Sequence, residues 1–462
     1  MNMELPPELL ELMEALIKTD DITLMDGTKV SPEKALQESL ASLGTHYTHL
    51  SDWPADFKLV NVWKHRYLML TVLERARKLK EKGMPVVASF MVFPELIFGC
   101  GASFVSVMPC IMEMLLAGNF SLQQEGHRFA SFESCPGEPM IALWVKDGTI
   151  PADLVIYGTS FGGDVPCINN LLRQWPEIPL HYVDVPYNGK GKPWALDYVA
   201  EQLHKLAERL GRTAGKQPSN EDIRKGIRMM NDIRRTYREY VDIVSSAKTP
   251  PIAGMENFLV TMSIWESGDP VALKCVNEQV IKEIRERVEK GIPGAGVVEN
   301  PIKIYMCEKM PAPPAFSFVE KLGGILLGPE VADSFYLGVE DVDEKGDPYE
   351  AIAQWYLEKW PWSPGVPLED RTRWIIDSVK KYNPDGVLFT GVWGCQLDPQ
   401  FGRYVADSIK KELGIPCLLT TMEDIPVEVG LDGKFNIKGD LRTRIEGFME
   451  MLDARRKKEG SS

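Results

Sequence analysis

The sequence predicts an α/β protein with two parallel-sheet blocks separated by helix. Three observations predict it. Short apolar runs bounded by turn residues recur at 85–90, 153–157 and 181–185, with helical patterns between them, and strands alternating with helices imply a parallel sheet. From Pro193 onward, to about residue 247, the pattern is almost wholly helical. A second set of apolar runs then follows at 302–307, 324–327, 386–390 and 415–420. The implied divisions are an N-terminal helical extension over 1–65, a first α/β lobe over 66–192, a helical segment over 193–298 and a second α/β lobe over 299–462.

The elements follow in order. The extension reads as helix and loop, closed by the Trp53-Pro54 join. A charged helix spans roughly 67–83 and stops at Lys82-Gly83, a stop signal that hands over to the strand at 85–90. In the helical segment, Asn220-Glu221-Asp222 starts a helix whose apolar residues Ile223, Ile227, Met230, Ile233 and Tyr237 alternate with charges. That is an amphipathic pattern, and its charges read as a solvated face. A further helix spans 270–290 and ends in the Gly-Pro-rich stretch 291–296. Helices near 366–382, 400–413 and 438–457 alternate with the strands of the second lobe.

Composition narrows the class of function. At 462 residues the chain exceeds one average domain, and 44% hydrophobic with 26% charged residues is the balance of a globular protein. A net charge of −14 argues against nucleic acid as the main partner, because nucleic-acid surfaces are basic. The first 18 residues are amphipathic and acidic, without the basic start and apolar centre of a secretory signal. No apolar run approaches the roughly 20 residues of a membrane span. The expectation is a cytoplasmic protein with no membrane partner. The eight cysteines are scattered and form no C-x-x-C pair, so they are packed thiols or ligands of a metal site assembled from distant positions.

Ligands of open α/β sheets bind beyond the carboxyl ends of the strands. Four segments qualify: Pro94-Glu95-Leu96, the glycine-rich run Gly158-Thr159-Ser160-Phe161-Gly162-Gly163, the stretch 184–192 with Lys190 and Lys192, and Gly394-Cys395-Gln396. Cys395 lies where a strand stops and a helix soon begins, a place whose amides favour a thiolate. It is otherwise a packed cysteine at a turn. Cys135 opens an apparent helix in the same way, and Cys167 lies near the start of the helix after the glycine-rich run. Glu95 is either an acid–base group or a helix-start carboxylate favoured by the dipole. Residues 188–192 (NGKGK) suit a phosphate or a flexible surface loop, and they are not a Walker A sequence. Gly158 to Gly162 matches G-x-S-x-G between strand and helix, the setting of a nucleophile elbow at Ser160. None of the six histidines lies in the last half of the chain, so a hydrolase triad lacks an obvious base. The plainer reading of that run is a turn in which Gly158, Gly162 and Gly163 let backbone approach a ligand closely.

Several blocks together resemble one family, that of the 2-hydroxyacyl-CoA dehydratases and ATP-dependent benzoyl-CoA reductases. They are Pro94-Glu95-Leu96 after a strand, Cys135 followed by a helix and the strand near 150–156, the run 178–187 ending Asp184-Val185-Pro186-Tyr187, the strand at 383–389 followed by Gly394-Cys395, Leu413-Gly414-Ile415-Pro416-Cys417 with Glu423-Asp424, and the closing helix 442–451. The resemblance implies two flavodoxin-like lobes with a helical part. It implies an oxygen-sensitive enzyme of anaerobic metabolism holding a 4Fe-4S cluster on three cysteines, an acyl-CoA substrate, a homologous second subunit and an ATP-dependent iron–sulfur activator protein. In such enzymes one low-potential electron enters the thioester and makes a ketyl radical from which hydroxide leaves. In the reductases the electrons are consumed in reducing an aromatic ring. By position, Cys135 and Cys395 match the first and third ligands. The second position falls at Gly162, beside Ser160 and Phe161, and none of these is cysteine. Cys167 is the substitute a rearranged loop would bring. Failing that, Asp164, Ser160, water or substrate completes the site, or the cluster is altered or absent. Cys100 is a further candidate. The alternatives to a catalytic subunit are a non-catalytic subunit that shapes a partner's site and a serine hydrolase using Ser160.

Overall fold

The computed structural model describes residues 11, 14–43, 59–89, 93–106, 137–159, 164–308, 313–331, 340–361, 365–392, 397–422, 427–429 and 435–459. A short antiparallel hairpin, β1 (Ile22–Thr23) and β2 (Lys29–Val30), opens the fold. It turns through Asp26 and Gly27, whose φ of 80° is the left-handed region that glycine occupies freely. The sequence reading had only helix and loop there. Helix α1 (Pro32–Leu43) follows. The charged helix expected at 67–83 is two helices, α2 (Val62–Leu70) and α3 (Val72–Glu81). They part at Thr71, whose hydroxyl donates to Tyr67 O at 2.6 Å, while Arg75 donates to Leu68 O at 2.5 Å.

The first sheet contains β3 (Val86–Ser89), β4 (Ser103–Val105), β5 (Leu154–Gly158) and β6 (Leu180–Val183). Its order is β4-β3-β5-β6, and every pairing is parallel. All residues of β3 and β5 are buried, as expected for central strands covered on both faces. The connecting helices are α4 (Pro94–Gly99), α5 (Gly137–Lys146) and α6 (Asp164–Gln174).

The helical segment holds α7 (Pro193–Ala214), α8 (Asn220–Ser246), α9 (Gly254–Ser267) and α10 (Pro270–Lys290). Helix α8 starts at Asn220, where the sequence places its start. Ser219 is the N-cap, and with Asp222 it forms a reciprocal capping box. Asp269 caps α10 by accepting from Ala272 N at 2.9 Å. Gly215, Gly268 and Gly291 close α7, α9 and α10 in left-handed conformations.

The second sheet contains β7 (Ile302–Glu308), β8 (Gly324–Val331), β9 (Gly386–Val392) and β10 (Cys417–Met422). Its order is β10-β9-β7-β8, again parallel throughout. Around it lie α11 (Pro313–Lys321), α12 (Pro348–Glu358), α13 (Leu368–Tyr382), α14 (Leu397–Leu413) and α15 (Gly439–Glu459), with a hairpin of β11 (Val427–Val429) and β12 (Phe435–Ile437) before α15.

Counted within each sheet, the strands of both follow the order 2-1-3-4, the flavodoxin-like arrangement. The chain is an α/β protein built on two such sheets. One continuous apolar cluster runs from Ile22 to Leu452 and includes strands of both sheets and all four helices of the segment between them. No helix among the described residues is long and apolar enough to cross a membrane.

Candidate active site

In each sheet the chain reverses its direction of winding between the first and third strands. The crevices to search therefore lie at the carboxyl ends of β3 and β5 and of β7 and β9. The first is the better described. Beyond β3, Phe93 takes a left-handed conformation with φ 58° and ψ 41°, Pro94 occupies the first turn of α4, and Glu95 follows. A bulky residue at such an angle is a local strain that its surroundings must hold in place. The holding group belongs to the second lobe. The Tyr356 hydroxyl of α12 accepts from Phe93 N–H at 2.6 Å, and the two rings lie 4.4 Å apart.

Glu95 is completely buried, and its carboxylate pairs with the equally buried Arg234 of α8. Arg234 also donates to Asn231 Oδ1 at 2.9 Å, and its guanidinium lies 4.4 Å from the centre of the Trp355 ring. Helices α4 and α8 approach closely enough that a Cβ added to Gly226 would fall 2.0 Å from Glu95 O, and one added to Gly99 would fall 2.8 Å from Ile223 Cα.

The carboxyl end of β5 carries a second polar node. Gly158 is the last residue of β5 and pairs with Val183 of β6. The hydroxyl of the next residue, Thr159, donates to Asp184 Oδ1 at 2.7 Å. It accepts from Val185 N at 3.1 Å and lies 2.6 Å from the Tyr182 hydroxyl. With its single proton committed to the carboxylate, Thr159 must be the acceptor from Tyr182. Tyr198 of α7 donates to Asp184 Oδ2 at 3.1 Å. This node explains why β6 ends at Val183, two residues short of the apolar run. Asp184 leaves the ladder to bind the neighbouring strand's end.

The other predicted residues stand as follows. Cys135, Ser160, Gly162, Gly163 and Cys395 lie outside the described residues. Cys395 falls between the end of β9 at Val392 and the start of α14 at Leu397. Ser160 falls between β5 and α6, so the strand-to-helix context expected around it is present. Cys167 lies on α6. Lys190 pairs with Asp370 at 2.6 Å, and its backbone N–H donates to Gly365 O at 3.1 Å. That stretch therefore bridges to the second lobe.

In the metal-free chain burial pushes the Cys100 and Cys417 thiols up to about 12. Among the described residues no group of three His, Cys, Asp or Glu side chains is placed to hold a metal ion. Nor do the buried His65 and the half-buried His181 supply a ready base. His65 is pushed down to about 3 by burial. His181 is pushed to about 4 by burial and by Arg209 and Arg212, and it sits inside the sheet opposite Ile156.

Sequence reasoning missed Arg234, Asn231, Trp355 and Tyr356. For the first two a signal existed. Ile227, Met230, Asn231, Arg234 and Tyr237 recur at helical spacing and form one buried stripe, so a cation and an amide stood where the pattern calls for apolar side chains.

Two flavodoxin-like sheets in one chain, with a buried acidic group and a polar node at the first switch point, define a two-lobed α/β protein of the doubly wound class. The chain belongs to the 2-hydroxyglutaryl-CoA dehydratase, D-component family, whose match spans residues 83–452. A protein of Escherichia coli (strain K12) named as a dehydratase subunit, YjiM, is 22% identical over 403 residues, covering 83% of this chain and 94% of the relative.

Proposed function

We propose that this chain is a subunit of an iron–sulfur 2-hydroxyacyl-CoA dehydratase. The reaction removes the 2-hydroxyl and a hydrogen from carbon 3 of the acyl group as water, with no net change in oxidation state. The observation that carries this reading is the family match, which runs through both sheets and all the predicted site loops. On this reading Cys135 and Cys395 would hold a 4Fe-4S cluster, with Cys167 as the third ligand. When bound, such a cluster supplies a low-potential electron and a Lewis-acidic iron. The chain's own contribution is to place polar groups around the thioester: Glu95 at the end of β3, and the loop anchored by Thr159 at the end of β5. A homologous second subunit and an ATP-dependent iron–sulfur activator complete the system.

A second reading is favoured by one feature of the sequence. The position expected for the middle cysteine is Gly162, flanked by Phe161 and Gly163. A chain without that ligand would serve as a non-catalytic subunit that shapes its partner's site. Anaerobic iron and sulfide analysis separates the two. The catalytic reading expects about one cubane per chain, lost in Cys395→Ala. A colourless, metal-free protein that co-purifies with a cysteine-complete homologue supports the second reading and sinks the first.

A further inference from the structure

We propose that Arg234 is a positioning residue of this site, holding the Glu95 carboxylate at the end of β3 and tying it to the second lobe through Trp355. The proposal rests on the dehydratase reading above and names the residue that sets the geometry of its acidic group.

Arg234 and Glu95 are 139 residues apart and meet with both side chains at 0% exposure. One terminal nitrogen of the guanidinium donates to Glu95 Oε1, the other donates to Asn231 Oδ1 at 2.9 Å, and the flat face lies 4.4 Å from the Trp355 ring. A fork and a face used together are properties of arginine that lysine lacks. Each support is anchored in the second lobe. Asn231 Nδ2 donates to Val342 O at 2.8 Å, and its Oδ1 accepts from Val342 N at 2.9 Å. Trp355 Nε1 donates to Glu340 O at 2.8 Å. The position of the guanidinium is therefore set by residues 340–356.

The other end of the pair is fixed as firmly. Phe93 is held in its left-handed conformation by the hydroxyl of Tyr356, one residue along α12 from Trp355. The backbone of Glu95 is pressed against Gly226, two turns before Arg234 on α8. Consecutive residues of one helix thus hold both partners: Trp355 the cation, Tyr356 the turn that carries the anion. A pair that merely stabilised the interior would need no such double support, since apolar replacements of buried ion pairs are often neutral for stability.

The test uses the full chain with the subunits that co-purify with it, prepared anaerobically, and the variants Arg234→Lys, Glu95→Gln and the apolar double replacement Glu95→Leu/Arg234→Met. Turnover is measured on a panel of (R)-2-hydroxyacyl-CoA thioesters. Separately, the Glu95 carboxylate band, identified as the band lost in Glu95→Gln, is read by infrared spectroscopy of protein carrying carbon-13 glutamate. The double variant is expected to keep the wild-type thermal midpoint while kcat falls by about 100-fold. Arg234→Lys is expected to recover part of kcat, to leave KM within about threefold and to shift the Glu95 band. Wild-type kcat in the double variant, or an unmoved band in Arg234→Lys, overturns the proposal. If the double variant does not fold, Arg234→Lys decides alone. If the wild-type complex turns over none of the thioesters, the dehydratase reading fails and the infrared arm still decides whether Arg234 positions Glu95.

Discussion

Replacing Gly226 by alanine tests how the fold brings Glu95 to its place. The added Cβ would lie 2.0 Å from Glu95 O and 2.7 Å from Gly99 N, both backbone atoms that cannot rotate aside. Ordinary contact begins at about 3.4 Å, so α4 and α8 have to separate by more than about 1 Å. Two effects compete. Alanine inside a helix gains about 1 kcal/mol over glycine through propensity. Overpacking a close contact costs about 1–3 kcal/mol, and here the upper part of that range applies. Helix α4 is pinned at its start by Pro94 and by the bond from Phe93 N to Tyr356, so it cannot pivot away cheaply. The clash therefore wins by about 1–2 kcal/mol. The expected thermal midpoint is about 1–2 °C below wild type for a chain of this length, measured by circular dichroism at matched concentration. The glutamate infrared band described above should shift as well, because the separation moves Glu95 relative to Arg234. A raised midpoint with an unmoved band would refute the reasoning, showing that propensity wins and that the close approach does not set the pair.

Other consequences follow from buried polar groups. Burial pushes Glu320 up to about 7, with the Glu256 carboxylate adding to the shift and the bond from Gly254 N opposing it. A carboxylic acid with a raised folded pKa costs no stability below its ordinary value near 4.5 and costs progressively more as pH rises to 7. Glu320→Gln keeps an acceptor for Gly254, so it should be more stable than wild type by about 2–3 kcal/mol at pH 8. The two should converge near pH 4.5 in paired thermal melts; equal midpoints at pH 8 would contradict this. Thr159→Val leaves Val185 N and Tyr182 without their acceptor and should cost about 2–3 kcal/mol, while Thr159→Ser should cost much less in the same melts. Asp269→Ala removes the cap of α10, the acceptor for Met25 N at 3.0 Å and the charge 3.9 Å from buried Arg75. A loss of about 3–5 kcal/mol is expected, with faster amide exchange at Met25 and Ala272 ahead of the rest of the chain.

Much of the fold was legible in the sequence because its central strands are covered on both faces. β3, β5 and β9 read as short apolar runs, β7 does so but for Lys303, and the helices between them carry clear stop signals. Three features were not legible for identifiable reasons. β4 is a three-residue edge strand, too short to show a period. β8 runs on to Val331 through Gly328 and Pro329, residues that mark a turn when read locally. Helix α12 went unread although Asp347 and Pro348 form a good start signal, Asp347 accepting from Tyr349 N and Glu350 N. For the site, Glu95 was visible as a helix-start residue after a strand. Its partner was missed because α8 is rich in charges and Arg234 was read with the rest as solvated, although its spacing from Ile227 and Met230 puts it on the apolar stripe. The tertiary structure shows the difference: Arg234 is fully buried, whereas Arg235 is half exposed and paired with Asp341 and Glu344.

That contrast between neighbours says what the helical segment does. Arg234 and Arg235 leave α8 in different directions, yet both end on material tied to the second lobe: Trp355 for one, Asp341 and Glu344 for the other. On its remaining face α8 meets the first lobe through Gly226, where the absence of a side chain sets the distance to Glu95. The helix is therefore a spacer whose length and facing residues fix the first switch point against residues 340–358. If the lobes moved relative to one another, Glu95 would have to follow Arg234 or give up a buried ion pair, an expensive loss in a dry interior. The simpler consequence is that Glu95 moves with the second lobe rather than with its own strand. Of the two supports, Tyr356 is the one to remove first. Tyr356→Phe deletes the acceptor for Phe93 N and leaves both members of the ion pair in place, so it should loosen the turn without discharging the site.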